Sequence, residues 1–136
     1  MKYLLDTNVA SELMKSEPDP LVKKWVVEHA DDTVFSAFVV AELASGVEAM
    51  PEGKRRAAIT REIRFLQEDY AEEILVFDES IAWEWARYIR EAHACGFAPS
   101  LMDSLIAATA RAWDLKLVTR NVSDFPLIEV INPFKP

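Results

Sequence analysis

Three carboxylates stand where a charge is out of place. Asp6 is the only charged residue between Lys2 and Glu12, Glu42 the only one between Asp32 and Glu48, and Asp103 the only one between Glu91 and Arg111. Burying an ionised carboxylate is costly unless something pairs with it. Were the three to meet, two or three like charges within a few ångströms could not all stay ionised unless a cation bound between them. Ligands that are all oxygen select hard cations, so the chemistry expected is that of Mg²⁺ or Mn²⁺ rather than zinc. The two histidines, His29 and His93, stand apart without ligand spacing.

Each acid also has a plainer reading. Asp6 could cap the helix that follows it, Glu42 could be a surface glutamate, and Ser100-Leu-Met-Asp103 matches a capping box in which the acid binds the Ser100 N–H. Taken together these readings explain less, because capping does not account for three acids in charge-free stretches.

The elements that must position them alternate between strand and helix. Tyr3-Leu4-Leu5 is an apolar run that reads as a buried strand ending at Asp6, Thr7 and Asn8. In open α/β sheets the ligand crevice lies outside the carboxyl ends of the strands, so these three side chains are expected on its floor. A short helix follows over about Asn8–Lys15, and Pro18 and Pro20 lead into a second that buries Leu21, Trp25 and Val22. Thr33–Phe38 reads as a second strand, with Ser36 capping a helix Ala37–Met50 on which Phe38, Val39, Ser45 and Gly46 flank Glu42.

Pro51 and Gly53 break the chain before a helix of about Lys54–Ala71 with Ile59, Ile63, Leu66 and Tyr70 as its buried stripe. Lys54, Arg55, Arg56, Arg61 and Arg64 form the one dense basic group, which reads as the solvated face of that helix and otherwise as an RNA guide. A third strand spans Ile74–Phe77. Asp78 caps a helix Glu79–Ala94 with Ile81, Trp85, Ile89 and Ala92 inward, and Gly96 suits its exit. Trp83 lies off that face, open either to a partner or to a second buried surface. Pro99 and Ser100 start a helix through Trp113 that carries Asp103, Leu117–Thr119 form a fourth strand, and Ile128–Ile131 a fifth. The fold class that follows is α/β: a three-layer domain over residues 1–136, with a mainly parallel sheet of about five strands and helices on both faces.

Composition agrees with one such core: 136 residues, 51% hydrophobic, 28% charged and three glycines. Cys95 is alone, so there is no disulfide framework, and the N-terminal apolar run is too short for a signal peptide. A cytoplasmic location and no membrane span are expected. The net charge of −8 lacks the basic footprint usual for phosphate binding, and favours a cation or a basic protein partner. It does not exclude RNA, since bound metal and local Lys and Arg can reverse the field.

The chain resembles the PIN-domain ribonucleases, and in particular the VapC-type toxins of bacterial toxin–antitoxin pairs. The likeness runs through Leu5-Asp6-Thr-Asn8, Val40-Ala-Glu42-Leu with Gly46, Asp103-Ser-Leu-Ile-Ala-Ala-Thr109, and Val118-Thr-Arg-Asn121-Val-Ser-Asp124-Phe125. It implies that Asp6, Glu42 and Asp103 are the acidic metal-binding residues, with Thr119 a supporting hydroxyl beside Thr7 and Asn8. Many relatives have an aspartate where this chain has Asn121. Either that amide supports the metal through water, the first choice by alignment of Thr119-Arg-Asn121, or Asp124 takes the role, unless Asp124 only forms a turn.

The activity implied is metal-dependent endonucleolytic cleavage of RNA, in which carboxylates place one or two Mg²⁺ or Mn²⁺ ions and no nucleophilic side chain is required. The resemblance also implies a cognate antitoxin lying across the groove, for which a chain of charge −8 is a reasonable receptor, and a homodimer. An aspartyl phosphatase would want an acid where Asn8 stands, and a phospho-receiver would want an acid pair on the first strand. The rival class is a catalytically silent PIN-like module that binds a protein.

Overall fold

The computed structural model describes residues 1–70 and 73–135, without the side chain of Tyr70. Five strands, β1 (Tyr3–Leu5), β2 (Thr33–Ser36), β3 (Ile74–Leu75), β4 (Lys116–Val118) and β5 (Val130–Ile131), form one parallel sheet in the order β3-β2-β1-β4-β5. Leu4 pairs with Val34 on one side and Leu117 on the other, and all three are fully buried. That double-sided burial is why the first strand is a continuous apolar run.

Six α-helices cover the two faces: α1 (Thr7–Leu13), α2 (Pro20–Glu28), α3 (Ala37–Glu48), α4 (Lys54–Tyr70), α5 (Glu79–Ala94) and α6 (Leu101–Ala112). Five begin on a side-chain cap: Asp6 for α1, Asp19 for α2, Ser36 for α3, Asp78 for α5 and Ser100 for α6. Each supplies an oxygen to an N–H that the first turn leaves unpaired. Gly96, at φ 77°, ends α5 in the left-handed conformation, with Phe97 N–H returning to Ala92 O at 2.9 Å.

The chain steps from β1 outward to β2 and β3, then crosses back to place β4 on the other side of β1. The carboxyl ends of β1 and β4 therefore flank the point where strand order reverses, the usual crevice of open parallel sheets. α6 ends beside the start of β4, so its first turn, with Asp103, lies at the carboxyl end of the sheet. α3 leaves the carboxyl end of β2 and carries Glu42 in its second turn.

Several boundaries differ from the sequence reading. The second strand stops at Ser36 rather than Phe38, because Ser36 already serves as the helix cap. The third strand covers only Ile74–Leu75 of the expected Ile74–Phe77; Val76 and Phe77 are 64% and 50% exposed at the sheet edge. The fifth begins at Val130 rather than Ile128, and the fourth runs one residue earlier than expected.

Leu21, expected in the core, is 50% exposed and Trp25 only half-buried; Val22 is buried as expected, together with Val26, four residues on along the same face. On α4, Ile63 and Leu66 are buried and Ile59 half-buried, whereas Tyr70's side chain and Ala71 lie outside the described residues. On α5, Ile81 and Ala92 are buried as expected, Trp85 and Ile89 only half so, and Tyr88 takes the central place, fully buried with its hydroxyl donating to Pro126 O at 3.0 Å.

Candidate acidic active site

Asp6 sits at the join of β1 and α1 and is 5% exposed. Its Oδ1 accepts Thr7 N–H at 2.8 Å, the cap of α1, while Oδ2 accepts the Thr119 hydroxyl at 2.8 Å and the Asn8 amide at 3.2 Å. Three of the roughly four lone-pair directions of a carboxylate are thus filled. The backbone fixes this meeting, since Asp6 N–H continues the β1–β4 ladder to Val118 O at 2.9 Å.

Thr119 is fully buried, and its hydroxyl is saturated. It donates to Asp6 and accepts from Asn8 Nδ2 at 3.1 Å and from Asn121 N–H at 3.0 Å, which uses its one donor and both acceptors. Asn8 completes the brace by accepting Arg120 N–H on Oδ1 at 3.0 Å. Thr7 reaches the other way, its hydroxyl donating to Glu42 Oε1 at 2.6 Å. Three consecutive residues therefore touch the ends of β1, β4 and α3.

The electrostatics shows that the acids share one field. Burial pushes the Asp6 carboxyl above the ordinary aspartate range, hydrogen bonds from Thr119 and Thr7 pull it back, and the charges of Asp103 and Glu42 push it up again. Burial likewise raises Asp103; a hydrogen bond with Ser100 opposes this, and Asp124 and Glu42 add to it. None of Asp6, Glu42, Asp103 and Asp124 makes an ion pair within 4 Å among the described residues.

Ser100 does cap α6 through Asp103 N–H, at 3.2 Å. The reciprocal bond of a capping box, from Ser100 N–H to the Asp103 carboxylate, is absent among the described residues, and the Ser100 side chain is what pulls the Asp103 pKa down against burial. Asn121 contributes its backbone N–H to Thr119, and its side chain is exposed. Asp124 closes a 3-10 turn over Val122–Asp124, so it does form a turn, and its charge is also felt by Asp103.

Glu12 escaped the sequence reading: 5% exposed, it binds Lys15 at 2.9 Å and Asp19 N–H at 3.0 Å. Its signal was the lysine one helical turn on, a spacing that joins side chains on one face. A cavity of about 610 Å³ lies at the amino end of the strands among Lys2, Glu84, Arg111, Lys116 and Glu129, and its lining includes none of Asp6, Glu42, Asp103 and Asp124.

The PIN-domain family pattern matches residues 3–128. This chain belongs to the PIN-domain family. It is 37% identical to the VapC ribonuclease Y4jK of Sinorhizobium fredii, over 98% of both chains. It is 33% identical to the toxin FitB of Neisseria gonorrhoeae, over 96% of this chain and 97% of that one. Among solved structures, FitAcB from Neisseria gonorrhoeae superposes with a TM-score of 0.86 at 33% identity, covering 98% of this chain and 99% of that one. The PIN fold accounts for the strand order, and relatives that match almost end to end carry the names of a ribonuclease and a toxin.

Proposed function

We propose that this PIN-domain protein is a metal-dependent endoribonuclease acting as the toxin of a toxin–antitoxin pair. One observation carries the reading: a nearly buried carboxylate, Asp6, is destabilised by two other acids at the point where strand order reverses, with no cation among the described residues to relieve it. Such an arrangement is unfavourable in an apo protein and favourable around a divalent ion. The names of the relatives supply the substrate class and the biological role.

The donor set fits Mg²⁺ or Mn²⁺. Among the described residues no three acidic, histidine or cysteine side chains are gathered closely enough to grip an ion by themselves. Mg²⁺ does not need such a cage, because it keeps several waters and takes one or two carboxylates together with substrate phosphate. Asp6 and Asp103 would hold it, with Glu42 and Asp124 completing the acid field. Asp124 is favoured over Asn121 as the fourth group because its charge reaches Asp103. A bound ion of this kind supplies an activated water and neutralises charge that builds on the phosphate.

The chain's own residues do the rest. Thr119, Asn8 and Thr7 N–H hold Asp6 in one orientation, and Thr7 holds Glu42. The antitoxin belongs to the same reading: a basic segment laid over this groove would pair with the acids. A homodimer is proposed with it, and Trp83 and Leu101, 62% and 67% exposed, are apolar surface open to a protein partner.

The test is cleavage of labelled single-stranded RNA by purified protein in Mg²⁺, Mn²⁺ or EDTA, beside Asp6→Asn and Asp103→Asn. Cleavage that requires metal and vanishes in both variants upholds the reading. The want of a preformed three-acid cluster favours a second one, a PIN module that binds a protein without turnover. That reading takes over if wild type and variants behave alike on several RNAs while an antitoxin is still bound.

A further inference from the structure

Arg120 stands beside the acid site with its charge uncommitted. Its N–H is fixed by Asn8, and the residue before it, Thr119, holds Asp6. Its guanidinium lies over the ring of Phe134, 3.9 Å from the centroid. It makes no ion pair within 4 Å among the described residues and is exposed, although it is close enough to Glu12 to help hold that carboxyl below the usual range.

The topology makes this position meaningful. Because β4 and β5 are parallel neighbours, Arg120 and Phe134 both follow carboxyl ends of strands and share the rim that bears the acids. Phe134 is not a loose ring: it packs against the core, and its N–H is held by Asn132 Oδ1 at 2.9 Å. A guanidinium stacked on an anchored aromatic face loses much of its rotamer freedom while its N–H edge stays open. That edge matches the paired oxygens of a phosphate.

We propose that Arg120, oriented by Phe134, clamps a backbone phosphate of the RNA strand next to the one presented to the acids. The inference rests on the ribonuclease reading and deepens it by naming a substrate contact. It also answers a difficulty of charge. A polyanion approaching four acids in a chain of net charge −8 needs a fixed cation at the edge of the site. Arg120 is a positioning residue for substrate.

The experiment measures binding of a labelled single-stranded RNA of mixed sequence across a salt series. It uses Asp6→Asn protein to prevent cleavage, with Arg120→Ala, Arg120→Lys and Phe134→Leu added singly. One lost phosphate contact should make the slope of log K against log salt shallower by about 0.7, with binding about tenfold weaker at low salt. Arg120→Lys should keep the slope and lose affinity, and Phe134→Leu should do the same, since each retains the charge and removes its orientation.

An unchanged slope in Arg120→Ala overturns the inference, as does a loss of melting temperature without a change in slope, which would make Arg120 a strut for the C-terminal turn. Absence of salt-dependent RNA binding in the parent also overturns it. Whether the protein is a ribonuclease is decided apart from this by metal-dependent cleavage in the wild type, so the clamp can fail while that reading stands.

Discussion

Helix α1 begins and ends on a buried carboxylate, and the two are treated in opposite ways. Asp6 and Glu12 are each 5% exposed. Glu12 has Lys15 and the Asp19 N–H against it, and these hold its carboxyl below the ordinary range. Asp6 has hydroxyl, amide and backbone donors but no cation, and burial with two neighbouring acids pushes it above that range. The same contrast recurs across the sheet. Between α5 and α6, burial alone would raise Glu84, but Arg87 and Arg111 overcome it and hold Glu84 low, and Arg111 also pairs with Glu91 at 2.6 Å. This chain can pair its buried acids, and the contrast with the group at the carboxyl end is what supports the proposed site there.

Removing one charge from each end of α1 should break the comparison most clearly. Asp6→Asn is expected to reduce RNA cleavage by about 100-fold or more, since loss of an ion ligand forfeits several kcal/mol of transition-state stabilisation. It should leave the melting temperature of the metal-free protein within about 3 °C, because relief of the buried charge offsets the loss of the bonds that Thr119 and Asn8 donate to it. Glu12→Ala should do the reverse, costing about 1–3 kcal/mol in urea denaturation by stranding the Asp19 N–H and Lys15, with cleavage retained. A stabilised Glu12 variant, or a destabilised Asp6 variant, would sink the contrast.

pH sharpens the same point. An acid whose folded-state pKa is raised contributes stability at low pH that is lost as pH rises through that pKa, whereas one whose pKa is lowered contributes stability that is lost as pH falls through its own. Metal-free protein should therefore grow more stable as pH falls from neutral into the range just above the ordinary aspartate value of 3.8, because Asp6 and Asp103 take up protons there. Below the ordinary glutamate value of 4.5 it should lose stability as Glu12 and Glu84 protonate. Thermal melts at a series of pH values in EDTA, with Asp6→Asn beside the wild type, test both limbs, and the first should flatten in the variant.

Thr7→Val removes the hydroxyl that holds Glu42 and should lower kcat about tenfold, with Thr7→Ser restoring it. The smallest effect is expected on the outer face of α4, where Arg61→Ala and Arg64→Ala should leave cleavage within about twofold and stability within about 0.5 kcal/mol. A larger loss there would revive that helix as the RNA guide.

How far these features were legible follows from what each one depends on. The bounds of helix α5 were readable to the residue because Asp78 and Gly96 are local signals. The three isolated acids were readable because a charge in an apolar stretch needs only sequence to be noticed. Tyr88 was missed because its burial depends on Pro126 from a distant loop, and Leu21 was misplaced because adjacent apolar residues on a helix leave its rotation undecided. Alignment put Asn121 first for the fourth position, and what favours Asp124 instead turns on how a 3-10 turn lies beside α6, which spacing does not carry. Arg120 on Phe134 was likewise invisible, because it needs β5 beside β4.

The bond between Thr119 and Asp6 spans 113 positions of chain. During synthesis, Asp6 therefore emerges long before the hydroxyl that orients it, and Thr119 itself is seated only when its N–H finds Ile131 O in the last strand. A growing polypeptide carries its acids as separate, harmless charges, and the assembled site belongs only to a chain translated past residue 131. The order of the strands therefore delays assembly of the site until the last of them has been made.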